Sequence, residues 1–92
     1  MNEEFESIWD AIEENPAEAE KMRLRSAMMT ALGDYIKSEG LTQKQAAKRL
    51  GVTQPRISDL VRGRIDLFAI DSLVNMLSAA GLRIEMHIGN AA

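Results

Sequence analysis

The segment Thr42 to Gly63, TQKQAAKRLGVTQPRISDLVRG, constrains the fold more than any other part of the chain. Its residue types, in this order, predict two short helices that meet at a steep angle across a turn of three or four residues. Ala46 and Ala47 are expected where the two helix backbones approach most closely, because a larger side chain there would overpack. Gly51 is expected to end the first helix in the left-handed conformation, which costs glycine little.

The second helix of this pair is predicted to begin after an N-cap at Thr53 and to end just before Gly63. Its apolar residues recur at spacings of three and four, which predicts one buried stripe made of Ile57, Leu60 and Val61. The other residues of the helix lie outside that stripe: Gln54, Pro55, Arg56, Ser58, Asp59 and Arg62. The pair therefore buries one face and presents the other to solvent or to a partner.

Charge is divided sharply along the chain, although the net charge is only −3. Residues 1–20 contain eight acidic and no basic side chains, whereas residues 41–64 contain six basic side chains and one acidic one, a local balance of +5. Such asymmetry indicates two faces or two partners of opposite sign. A phosphate backbone bound at residues 41–64 would interact with their local charge of +5, so the net charge of −3 does not argue against nucleic-acid binding.

From about Leu41 to Gly81 the chain resembles the lambda-repressor-like (Xre-type) helix-turn-helix family, most strongly in LTQKQAAKRLGVTQPRISDLVRGR. In that family the second helix of the pair enters the DNA major groove by its N-terminal end. The resemblance implies that Gln54, Pro55 and Arg56 contact bases or adjacent phosphates and that Gln43 anchors a phosphate. Asp59 is a further candidate for base reading, and the other expected phosphate contacts are Lys44, Thr53, Ser58, Arg62 and Arg64.

Gln54 and Arg56 are the main candidates for base reading, because glutamine pairs in a bidentate way with adenine and arginine with guanine. Asp59 is three residues from both Arg56 and Arg62, so it is expected either to hold one of these guanidinium groups or to accept a hydrogen bond from cytosine. The alternative for Arg62 and Arg64 is that they are ordinary solvated surface.

The segment EEFESIWDAIEE, residues 3–14, has the apolar spacing of a short amphipathic helix. A helix of this length is marginal alone in water, so it must either pack on its own domain or bind another protein. Aromatic anchors among acidic residues are typical of binding hot spots, which favours partner binding by Phe5, Ile8, Trp9 and Ile12.

Two further helices are predicted around the central pair. A long helix starts after Asn15, an N-cap followed by Pro16 at the first helical position, and ends at Gly40. The loop RIDLF leads into a helix that Gly81 ends, with Phe68 packed in the core beneath that loop. The predicted fold is therefore mainly α, a bundle of about five helices.

The last apolar residues, Leu82, Ile84, Met86 and Ile88, alternate with polar ones, which predicts a half-buried β-strand. An unpaired strand edge is a liability, so this strand is expected to pair with its own copy across a homodimer, or else with a different protein. The domain organisation is thus an acidic segment (1–15), a helix-turn-helix domain (16–81) and a dimerisation strand with its tail (82–92).

Composition excludes several functional classes. The absence of cysteine rules out disulfides and thiolate metal sites, and a lone histidine, His87, offers no catalytic or metal-ligand cluster. Neither an enzyme activity nor a cofactor is expected. With no apolar run of signal-peptide or membrane-spanning length, the 92 residues are expected to form one small cytoplasmic domain that does not contact a membrane.

The phrases GRIDLFAIDSLVNMLSAAGLRIEMHI and VTQPRISDLVRG further resemble one subgroup of the family, the antitoxins of host-inhibition-of-growth toxin–antitoxin modules. This resemblance implies a dimeric repressor that neutralises a small basic ribonuclease toxin and binds the operator of its own operon. Three alternatives stay open: a stand-alone or phage regulator without a toxin, a protein-interaction module that uses the helices only as a scaffold, and an enzyme.

Overall fold

Four α-helices and one 3-10 turn make up the regular structure of residues 15–90, the part of the chain that this computed structural model describes. The helices are α1 (Pro16–Ser38), α2 (Gln43–Leu50), α3 (Gln54–Val61) and α4 (Ile70–Ala79), and the 3-10 turn is Ile65–Leu67. The mainly α prediction is therefore confirmed. The helix predicted at residues 3–14, which made the expected total five, lies outside the described residues.

Local signals set the beginnings and ends of the first two helices. The Asn15 side chain accepts a hydrogen bond from the Glu18 N–H at 3.3 Å, so it caps α1 as predicted. At α2 the Thr42 hydroxyl accepts from the Gln45 N–H (3.1 Å), and the Thr42 N–H donates to the Gln45 side chain (2.9 Å). This capping box satisfies two backbone donors that would otherwise lack partners. Gly51 ends α2 with φ of 71°, the left-handed conformation expected of it.

One apolar core lies between α1 and α4 on one side and the α2–α3 pair on the other. Phe68 is 1% exposed and, as predicted, is buried below the loop that precedes α4. The core also contains Met29, Leu32, Ile36, Ala46, Ala47, Leu50, Ile57, Leu60, Leu73, Met76 and Leu77. Burying a large apolar side chain contributes roughly 1.5–3 kcal/mol, so these residues hold α2 and α3 at a set angle.

Val61 departs from the predicted buried stripe, because it is 47% exposed. With about 100° between successive helical residues, Val61 lies at the margin of the stripe, on the side away from Leu60. There it lines an open groove beside α1, together with Met29 and Gly33. The prediction that Val61 is buried is therefore wrong for residues 15–90 taken alone.

Residues 82–90 contain no β-strand, and all of them are exposed. The Leu82 N–H bonds to the Leu77 carbonyl (2.9 Å), which ends α4, and the chain beyond it makes no backbone ladder. A strand requires a neighbouring strand, and the other described elements of this chain are helical. The predicted C-terminal strand is therefore absent from the single chain. Among residues 15–90, no helix has the length and apolar character needed to cross a membrane.

Candidate nucleic-acid interface

The N-terminal ends of α2 and α3 open into one shallow pocket. Gln43 is the first residue of α2, and Gln54 and Pro55 are the first two residues of α3; with Ser58, one turn later, they line this pocket. Helix N-termini carry unpaired N–H groups and a positive partial charge, which favour phosphate oxygens. Four residues that the sequence assigned to base or phosphate contacts are thus brought together.

The side of α3 that faces away from the core carries the remaining predicted contacts. Gln54 and Pro55 are exposed, Ser58 and Asp59 are half-buried, and Arg62 is exposed. At about 100° per residue these positions fall on one continuous face, opposite the fully buried Ile57 and Leu60. This face has the polar, hydrogen-bonding character that base edges require.

Thr53 precedes α3 as its N-cap residue, but its side chain makes no capping hydrogen bond. The reason is local, since Pro55 occupies the second helical position and has no N–H to donate. The Arg56 N–H, the other usual donor, bonds instead to the Thr53 carbonyl at 3.1 Å. The prediction that Thr53 is the N-cap residue is therefore confirmed for its position but not for a capping hydrogen bond, and the exposed Thr53 hydroxyl makes no hydrogen bond within residues 15–90.

The Arg56 side chain contacts the turn that follows α3. Its Nη1 donates a 2.8 Å hydrogen bond to the Leu67 carbonyl, and its guanidinium carbon lies 4.0 Å from the centroid of the Phe68 ring. The predicted ion pairs of Asp59 with Arg56 or Arg62 are both absent from residues 15–90, where the ion pairs are Lys21–Glu18, Arg23–Glu20 and Arg49–Glu39. The proposed cytosine contact of Asp59 stays a prediction.

The contacts of Arg56 with the Phe68 ring and the Leu67 carbonyl were not predicted from the sequence. The sequence indicated that Phe68 is buried, but nothing in its spacing from Arg56 predicts that the two are stacked. Eleven and twelve residues separate Arg56 from these partners, so only the return of the chain after α3 brings them together.

The basic residues around the pocket divide into two groups. Lys44, Arg62 and Arg64 are exposed and have no ion-pair partner among residues 15–90. Arg49 instead faces α1, where its Nη1 lies 3.4 Å from the Tyr35 hydroxyl and 3.3 Å from Glu39 Oε1. The hydrogen bond to Tyr35, with a smaller effect from the Glu39 charge, raises the pKa of Arg49 above its ordinary value. Arg49 is therefore engaged away from the pocket.

The other predicted sites fall away from this pocket or outside the described residues. Phe5, Ile8, Trp9 and Ile12 belong to residues 1–14, which the structure does not describe. The four residues predicted to form the dimer strand are exposed, from 39% at Leu82 to 83% at Ile88. Between residues 15 and 90, no three His, Asp or Glu side chains lie close enough together to hold a metal ion.

Comparison with known proteins places the chain among helix-turn-helix proteins. Residues 11–89 match a family model described as a helix-turn-helix domain. No match is found among curated proteins. One solved structure, described as an XRE-family transcriptional regulator, superposes with a TM-score of 0.72 at 30% sequence identity, over 79% of this chain and 82% of the other.

Proposed function

The chain belongs to the Xre-type helix-turn-helix family of DNA-binding transcriptional regulators, and we propose that it reads a double-stranded operator with the N-terminal half of α3. The observation that carries this proposal is the pocket in which Gln43, Gln54, Pro55 and Ser58 meet at two helix N-termini. A phosphate at the start of α2 and base edges beside the start of α3 would satisfy these groups simultaneously.

Within this proposal the contacts divide by chemistry. Gln54 carries both a donor and an acceptor and is exposed, so it is suited to a bidentate contact with adenine. Gln43, Lys44, Thr53, Ser58, Arg62 and Arg64 supply phosphate contacts, which give affinity without sequence preference. Arg56 would have to leave Leu67 and Phe68 to reach a guanine.

We further propose that the regulator acts in the cytoplasm as a homodimeric repressor. The exposed apolar side chains of the C-terminal segment occur at alternate positions, so pairing with a second copy would bury one face of a two-stranded ribbon. A two-fold arrangement would place two copies of α3 about 34 Å apart, in successive major grooves on one side of the duplex. Residues 82–88 would then gain the partner that a strand requires.

The antitoxin role is a separate proposal that rests on residues 1–14. Their acidic character and their apolar residues Phe5, Ile8, Trp9 and Ile12 suit a small basic partner such as a ribonuclease toxin. None of the residues that line the pocket between α2 and α3 belongs to this segment. A stand-alone regulator would have no such partner.

Operator selection tests the DNA proposal. The full chain would be used to select duplexes from a random-sequence library, and the dissociation constant would be measured by fluorescence anisotropy at several salt concentrations. We expect one preferred sequence and a steep loss of affinity with salt, because phosphate contacts release counterions. Equal, salt-insensitive binding to all duplexes, unchanged by Gln54→Ala, would favour the scaffold alternative.

Co-purification tests the antitoxin proposal. The full chain and a variant without residues 1–14 would each be expressed with the product of the neighbouring gene. We expect that the deletion abolishes the complex while operator binding persists. A complex that survives the deletion, or no complex with either form, would contradict the proposed role of this segment.

A further inference from the structure

We propose that Arg56 is a positioning residue and does not read a base: it fastens the start of α3 to the turn that follows it and thereby fixes the backbone that carries Arg64 relative to the DNA-reading face, the side of α3 with Gln54, Pro55 and Ser58. The inference rests on the proposed function, because that face is taken to be the one that meets DNA. It contradicts the expectation from the sequence that Arg56 reads a guanine.

The position of Arg56 on α3 favours this role. At about 100° per residue, Ser58 lies about 40° from Gln54 around the helix axis, whereas Arg56 lies about 200° from Gln54 and near Leu60. Leu60 is buried, and Arg56 is half-buried. Arg56 therefore stands at the margin of the core, on the far side of α3 from the residue best suited to read a base.

Two contacts then hold its guanidinium group. The charged Nη1 donates to the Leu67 carbonyl, and the group stacks on a ring that is itself 1% exposed and fixed by the core. A charge-assisted hydrogen bond and a cation–π contact both favour this arrangement. In the described residues no other hydrogen bond is made to the Leu67 carbonyl, so withdrawal of Arg56 toward DNA would leave both groups without these partners.

The held segment is the one that carries Arg64. The Arg64 N–H bonds to the Asp59 carbonyl of α3 (3.0 Å), and the Arg64 carbonyl accepts from the Leu67 N–H (3.0 Å). The turn after α3 is therefore joined back to α3 at two places, through the Arg64 backbone and through the Arg56 side chain. The backbone of Arg64 is thereby tied to the helix that carries Gln54.

Base preference distinguishes a positioning residue from a base-reading one. Affinity would be measured for the selected operator and for each single-base substitution of it, with Arg56→Met and, as matched control, Gln54→Ala. We expect Arg56→Met to weaken binding to all duplexes by a similar factor, about three- to tenfold, whereas Gln54→Ala loses discrimination at one position. A mismatch at a read base costs about five- to 150-fold in affinity, so loss of such discrimination in Arg56→Met would overturn the proposal.

The contacts of Arg56 with the Phe68 ring and the Leu67 carbonyl, here called the clamp, are tested without DNA. Arg56→Met and Phe68→Leu should each lower the melting temperature, and we expect the double variant to lower it by less than the sum of the two. In the NMR spectrum of the wild-type chain, we expect the Arg56 Nε–H resonance to be shifted upfield by the ring. Relaxation measurements should show this group to be ordered. An unshifted, freely moving Nε–H would overturn the clamp even where Phe68→Leu does not fold. If no duplex is selected, the DNA proposal fails, while these measurements still decide the clamp.

Discussion

The guanidinium group of Arg56 is stacked 4.0 Å above the Phe68 ring, so a charged residue of α3 and a buried residue of the following turn form one unit. The family resemblance alone predicts that Arg56 contacts DNA. In the folded chain its nearest partners are the ring and the Leu67 carbonyl, 2.8 Å from Nη1. The start of α3, which carries the proposed DNA-reading face, is therefore joined to the turn that follows the helix.

Arg56→Met is expected to lower the free energy of unfolding by about 1–2 kcal/mol, because it removes a charge-assisted hydrogen bond and a cation–π contact while keeping an apolar stem. Urea denaturation would measure the change. Arg62→Met is the matched control, since Arg62 is exposed and unpaired within residues 15–90. Equal, small effects of the two variants would show that the stacking adds nothing to stability.

Two threonines at equivalent helix starts should respond differently to alanine substitution. Thr42→Ala removes a capping box and is expected to cost about 0.5–2 kcal/mol of stability. Thr53→Ala removes no capping hydrogen bond, so its cost should stay within about 0.5 kcal/mol. Thermal denaturation would compare them, and a loss of the same size in both would contradict the capping assignment.

Thr53→Ala also separates stability from binding. If the free hydroxyl contacts a phosphate, this variant should bind every duplex more weakly by a similar factor while its melting temperature stays near that of the wild-type chain. Anisotropy titrations with the selected operator and with unrelated DNA would measure this. Unchanged affinity for both would remove Thr53 from the interface.

Arg64→Ala is expected to weaken binding to all sequences and to reduce the slope of log affinity against log salt concentration by about one, as for the loss of one phosphate contact. Titrations at four or more salt concentrations would determine the slope. Arg49→Ala is the control, because Arg49 is engaged by Tyr35 and Glu39. The prediction fails if both variants change the slope equally.

Asp59→Ala is expected to change sequence preference more than overall affinity, because the carboxylate, which has no ion-pair partner in residues 15–90, can accept a hydrogen bond from a cytosine amino group. The selected operator and random DNA would be titrated in parallel. An equal change for both would exclude a base contact by Asp59.

Much of the α2–α3 unit was predictable from the sequence, because its signals are local. Thr42 and Gln45, three residues apart, form a capping box, Gly51 takes the left-handed conformation, and Ala46 and Ala47 lie buried at the helix contact. Thr53 occupies the predicted N-cap position, but its side-chain hydrogen bond is missing; Pro55, which has no N–H, removes one of the two usual donors for it. Each of these features depends on residues within a few positions of each other.

The sequence by itself therefore determined the helix pair and its polar face, whereas the meeting of Gln43 with Gln54 at one pocket was seen only in the folded chain. Only the tertiary structure decided which side chains at the margins of α3 are free. Val61 is exposed and Arg56 is held by Phe68, because the environment of a marginal residue depends on what packs across from it and not on helical period. For the same reason the alternating residues 82–88 form no strand alone, since a strand exists only with a partner.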